Sequence, residues 1–149
     1  MFYVIGDIDR AIDYSGRLLT DPNFNALSDE DRMFIDFNIA SFLVEREYHS
    51  PTRDSHTRAQ LCAEIDAILN SEPLSSQNDI ASSVLDTRGL AKITFASTKE
   101  QARQGIEDCV RAVSLAPSEE AEVTAAYMEL NVRLGWRRYF ELENITRPR

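Results

Sequence analysis

Met33-Phe34-Ile35-Asp36-Phe37-Asn38-Ile39-Ala40-Ser41-Phe42-Leu43-Val44 is the most apolar run of the chain, and its periodicity decides the fold class. On a helix of about 3.6 residues per turn, Met33, Phe37, Ala40, Ser41 and Val44 share one side, while Ile35, Ile39 and Phe42 occupy much of the other. A helix apolar nearly all round is buried from two directions rather than one. A bilayer span needs ~20 apolar residues, more than this run provides. The stretch therefore predicts a central core helix with the remaining elements layered around it.

Working outward, Ser28 is placed to cap this helix, and Asp29, Glu30 and Asp31 put negative charge at its positive end. It is expected to run to about Glu47. Upstream, Ile8, Ala11, Ile12, Ser15 and Leu19 form a helical stripe from Asp7 that stops at Thr20-Asp21-Pro22, because proline disfavours helix in the residue before it. Phe2 to Ile5 is too short for its periodicity to decide between strand and helix. Downstream, Tyr48 to Ser55 is the longest polar connection, and Thr57 with Gln60 has capping-box spacing. Leu61, Cys62, Ile65, Ile68 and Leu69 make a one-sided stripe ending at Asn70 to Pro73. A fourth helix, capped by Ser76 with Asp79, carries Ile80, Ala81, Val84, Leu85, Ala91 and Phe95 to about Ala96, with Gly89 inside it permitting close approach of a neighbour. Ser97 with Glu100 predicts the next cap, before a stripe of Ala102, Ile106, Cys109, Val110 and Val113 that stops at Ala116-Pro117. The last helix is expected over about 118–143. The fold class is all-α: about six antiparallel helices, stacked as helical hairpins in a single domain over 1–149.

Pro22, Pro73 and Pro117 each end a helix and are each followed by a serine-capped one, a self-similarity typical of stacked helical hairpins. Gly105, Ala112 and Pro117 sit at the spacing of the second-helix positions of a tetratricopeptide repeat, and the stretch AVSLAP, ending at Pro117, looks like its closing turn. Tyr14 through the LLTDP ending at Pro22, and the ILNSEP ending at Pro73, echo it. The chain thus resembles tetratricopeptide-type helical repeats, although the tryptophan, leucine and tyrosine pattern of the first helix is missing. The resemblance implies a scaffold that binds segments of other proteins.

A net charge of −9 excludes ordinary nucleic-acid or anionic-membrane binding, which needs concentrated Lys and Arg. The charge is uneven: residues 1–122 hold 11 basic and 22 acidic groups, whereas residues 123–149 hold 5 and 3. Cys62 and Cys109 lie within helical apolar stripes and read as small buried hydrophobes rather than a redox pair. No basic, apolar and cleavage-site sequence opens the chain, so a cytoplasmic location is expected.

Chemistry is hard to find. His49, Asp54 and His56 share the long loop, near Glu45 and Glu47, but their spacing matches no metal-ligand pattern. There is no nucleophile-elbow serine, no histidine beside either cysteine in sequence, and no glycine-rich phosphate loop. The expectation is a non-enzyme without metal or cofactor.

The last helix is two-sided. Val123, Tyr127, Leu130 and Leu134 form one stripe, expected to pack on the preceding helix through Val110 and Val113. Met128, Val132, Trp136 and Tyr139, with Ala125, form a second. This second stripe, flanked by Arg133 and Arg137, is either covered internally, by Phe2 to Ile5 or by Ile145, or is a partner-binding surface. The expectation taken is the surface, most simply for a second copy of the chain in a homodimer, with Glu129 and Glu143 pairing across the interface. The function expected is a protein–protein interaction module (an adaptor, chaperone or regulator) that holds a peptide or helix of a partner, with acidic rim groups selecting a basic one. The alternative is an acidic inhibitor that imitates nucleic-acid charge and blocks a nucleic-acid-binding enzyme.

Overall fold

Helix boundaries follow the local chemistry of their caps. The structure, a computed structural model, describes residues 5–22, 27–75, 80–116 and 121–146, and all regular structure among them is helical. The elements are α1 (Ile5–Thr20), α2 (Asp29–His49), α3 (Ser55–Leu69), the single turn α4 (Glu72–Ser75), α5 (Ala81–Phe95), α6 (Lys99–Leu115) and α7 (Ala121–Thr146). Among the described residues there are six helices longer than one turn, as the periodicity predicts, and none is long and apolar enough to cross a membrane. The expected cap at Ser76 and Asp79 and the last-helix start at Ser118 lie outside the described residues.

Two caps differ from the sequence expectation. Ser28 does cap α2, accepting from the Asp31 backbone N–H at 3.1 Å. The cap of α3, however, is Asp54, whose carboxylate accepts from the Thr57 N–H at 2.9 Å, so Thr57 is a first-turn residue and not the cap. The cap of α6 is Thr98 and its box partner is Gln101, one residue later than the expected pair of Ser97 and Glu100. Thr98 is the last residue with extended backbone, so its hydroxyl reaches the third helical N–H. Glu100 turns instead to Arg103.

The chain divides into two compact units, Met1–Ser76 and Gln77–Arg149. In the first, α2 is central, and α1, α3 and α4 all pack on it. Its burial is more one-sided than expected. Met33, Ala40, Leu43, Val44 and Glu47 are buried, whereas Ile35, Phe37, Ile39 and Phe42 are only partly covered. The buried stripe continues the helical period past the apolar run to Glu47, which is 1% exposed. Its carboxylate accepts from the Thr52 N–H at 2.8 Å, the Thr52 hydroxyl at 2.7 Å and Arg58 Nε at 3.0 Å. A buried carboxylate is tolerated only when so partnered, and these bonds tie the polar connection between α2 and α3 down to both helices. Ile8 of α1, Ile65 and Leu69 of α3, and Leu74 of α4 supply further buried side chains of this unit.

The second unit is organised around α6 instead, which packs on both α5 and α7. The three-residue link Ala96 to Thr98 makes α5 and α6 antiparallel neighbours. Glycines set how closely they approach. A Cβ at Gly89 would lie 2.6 Å from the Gly105 carbonyl oxygen, and one at Gly105 would lie 2.7 Å from that of Gly89. At Gly135 of α7 a Cβ would run into Ile106 and Ile93. At Gly89 and Gly105 the backbones of α5 and α6 therefore meet, and at Gly135 the backbone of α7 lies against the Ile93 and Ile106 side chains. Around these contacts Ile93, Ile106 and Cys109 form one core cluster, and Ala96, Ala102 and Leu142 another. Polar tethers add register: Lys92 pairs with Asp108 at 2.6 Å, Asn131 donates to both Asp86 oxygens at 3.0 Å, and Arg138 donates to the Ala96 carbonyl at 2.8 Å.

Candidate functional site

The orientation of α7 is the largest departure from the sequence reading. Met128 is buried, and Val132 and Tyr139 pack against the cluster of Ile93, Ile106 and Cys109. The stripe expected to lie open thus faces the unit's own core for much of its width. Leu130, expected to pack inward, is exposed, and the side chains of Val123, Ala125 and Tyr127 lie outside the described residues. The physical reason is Gly135. It falls between Met128 and Leu142 on the helical wheel and lets that face, rather than the Leu130 face, reach α5 and α6 most closely. Of the six residues expected at a partner surface, Met128, Val132 and Tyr139 therefore serve the core, while Arg133, Trp136 and Arg137 remain exposed.

What stays open is the seam between α6 and α7. Val110, expected within the buried stripe of α6, is 52% exposed, because the helix buries Ala102, Gly105, Ile106, Cys109 and Ala112 and leaves Val110 at the edge of that arc. Trp136 is 43% and Phe140 54% exposed. Their rings are 6.2 Å apart, and each meets Tyr139 edge-on at 5.5 Å. Two adjoining hollows run along the seam and share Val110 and Ser114. One, of ≈ 490 Å³, also includes Ile106, Trp136, Arg103, Glu107 and Arg111; the other, of ≈ 420 Å³, includes Val113, Val132, Glu129 and Arg133. The result is an apolar groove with a charged rim and Trp136 on one side, an arrangement of the kind that can seat a helix or peptide.

The sequence points to Val132, Arg133 and Trp136 of this groove, but not to Arg103 and Arg111, to the exposure of Val110 or to Phe140 beside Trp136; Arg137 lines neither hollow. A usable signal exists for Val110 and Phe140. Val110 makes the apolar arc of α6 wider than one neighbour can cover, and Phe140 lies four residues after Trp136, on the same face.

A third hollow, of ≈ 470 Å³, lies in the first unit, lined by Met33, Ile68 and Leu74 with Asp29, Arg32 and Asp36 at its polar side. Burial pushes the Asp36 carboxyl above the usual range, against the nearby Arg32 charge. No exposed aromatic side chain lines it.

Reactive chemistry gains no support from the arrangement. Burial pushes the Cys109 thiol well up, helped by the charges of Asp86 and Asp108, and a thiol so held is a poor nucleophile. Burial, with Asp66 beside it, also raises Cys62. Of the loop residues weighed as metal ligands, Asp54 is engaged as the α3 cap, and His49 stacks edge-on with Tyr48 at 5.2 Å. Among the described residues no three His, Cys, Asp or Glu side chains gather to hold a metal. Comparisons with protein-family models, with curated proteins and with solved structures find no match.

Proposed function

We propose that the protein is a non-enzymatic interaction module that seats a helical segment of a partner protein in the groove between α6 and α7. The observation that carries this reading is the exposure of Val110 and Trp136 along two adjoining hollows, with exposed Phe140 6.2 Å from Trp136. Soluble proteins seldom leave a joined apolar strip in water without a use for it, and tryptophan and arginine are the side chains most enriched at binding hot spots. A tetratricopeptide-type identity for the hairpins belongs to the same reading. It is supported by the antiparallel α5–α6 pair and by Gly105 and Ala112, which are buried at the small-residue positions that motif uses. An adaptor or regulator of this kind working in the cytoplasm is consistent with Cys62 and Cys109 standing as free thiols.

The test is site-specific photo-cross-linking in the native cell. A photoreactive residue at Val110 should capture one discrete partner, and the same residue at exposed Gln104 should not. Equal, diffuse labelling from both positions would contradict the reading.

A second reading, inhibition by imitation of nucleic-acid charge, is favoured by one observation. Residues 1–76 hold 14 acidic and 6 basic groups, whereas residues 77–149 hold 11 and 10. A complex made through the first unit should weaken steeply with salt, and a groove complex much less.

A further inference from the structure

We infer that the segment taken by the α6/α7 groove is an acidic amphipathic helix of about three turns, its carboxylates meeting Arg111 and Arg133. This rests on the interaction reading above and adds the chemistry of the partner.

Most cations near the groove are already engaged. Arg103 pairs with Glu100 at 2.7 Å and Glu107 at 3.7 Å, and Arg137 and Arg138 both pair with Glu141 at 3.5 Å. Arg111 and Arg133 make no ion pair with another described residue. They stand on opposite helices, each lining one of the two hollows, with Val110, Val113 and Val132 among the apolar residues of the groove. Glu107 and Glu129 line the same groove; Glu107 is paired with Arg103, so the lining charges without a pair are two guanidiniums against one carboxylate. Beside apolar side chains and a tryptophan, an arginine pairs with a carboxylate in a two-pronged, strongly oriented contact.

Length fits as well. The α6 residues that line the groove run from Arg103 to Ser114. Eleven helical steps span about 16 Å, or three turns. A helix laid along it would present an i, i+3/i+4, i+7 stripe to the valines and Trp136, with a carboxylate on each flank for each free arginine. Residues 77–149 hold 11 acidic and 10 basic groups, so the unit that carries the groove has almost no net charge of its own to draw a basic partner.

Trp136 is the only tryptophan of the chain, so its emission reports occupancy directly. Two synthetic helices serve as probes. Both carry leucines at i, i+3, i+4 and i+7 on an alanine background; one has Glu at the flanking positions and the other Lys. The acidic probe should shift Trp136 emission to the blue and saturate, and it should bind the full-length protein at least about tenfold more tightly than the basic probe, given two charge-assisted contacts. The double variant Arg111→Glu with Arg133→Glu alters only exposed side chains. It should keep its circular dichroism spectrum and reverse the preference. Tighter binding of the basic probe, or equal binding unchanged by the double variant, would overturn the inference. An emission shift driven by protein concentration alone, with dimers in light scattering, would also overturn it by showing a second copy in the groove. No shift with either probe would overturn it as well. The broader reading fails separately, on the cross-linking at Val110.

Discussion

The two units solve the same packing problem differently. The first surrounds a long, apolar α2 with side-chain bulk and a buried, fully partnered Glu47, and it holds 14 acidic against 6 basic residues. The second removes side chains where helices meet, through Gly89, Gly105 and Gly135, and its charges nearly balance. At Gly89 and Gly105 the backbones of α5 and α6 touch, and at Gly135 the backbone of α7 lies against the Ile93 and Ile106 side chains. The faces of α6 and α7 beyond these contacts, at Val110 and Trp136, stay uncovered. The comparison teaches that an open apolar groove can follow from where small residues sit, without any unusual density of apolar ones.

The largest effect should come from filling a glycine contact. Gly105→Val puts a branched side chain against the Gly89 carbonyl and Ile93, and it should cost about 3 kcal/mol or more, as overpacking against backbone does. In native-state hydrogen exchange, α5 to α7 should lose protection while α1 to α3 keep theirs. A cost below about 1 kcal/mol would show that the helices separate easily and would remove the contrast between the units.

Next in size is Glu47→Ala, at about 2 kcal/mol in urea unfolding, because Thr52 and Arg58 lose their acceptor while Arg58 can still reach water. Exchange at the Thr52 amide should accelerate. If stability and that amide are both unaffected, the connection between α2 and α3 is held by something other than this carboxylate.

Asp86 gives the second unit a pH dependence of its own. Burial raises its pKa, and the Asn131 amide pulls it part of the way back. Its contribution to stability is therefore full below the unfolded carboxylate range of about 3.9, and it declines as pH rises through the raised folded value. Asp86→Asn should be more stable than the parent at neutral pH by on the order of 1 kcal/mol, with the gain vanishing in acid. A variant destabilised at neutral pH would mean that the charged bond from Asn131 outweighs the burial cost.

The smallest effect separates two adjacent residues. Thr98→Ala should cost about 1 kcal/mol in thermal unfolding, and Ser97→Ala only a few tenths. The reverse order would restore Ser97 as the cap of α6.

How much of this was legible beforehand depends on the kind of signal. Helix existence was, because apolar spacing such as that of Ile8, Ala11 and Ile12, or Ala102, Ile106 and Cys109, survives any tertiary arrangement. Caps were legible to within a residue or a turn: Ser28 stood where expected, whereas at α6 two hydroxyl residues in a row each had an acid or amide three places on. The face of α7 was not legible. Its two stripes are nearly equal in apolar content, and the choice falls to Gly135, whose part depends on Ile93 and Ile106 of two other helices. For the same reason Val110 looked buried until the close approach of α5 rotated the buried arc of α6 toward Gly105 and Ala112.

The most direct measurement is hydrogen exchange across the whole chain, with and without a saturating acidic helical probe. Added protection should be confined to α6 and α7, greatest in the turns that carry Val110 and Trp136. Protection gained instead in α1 to α3, with α6 and α7 unchanged, would place recognition in the acidic first unit and contradict the account.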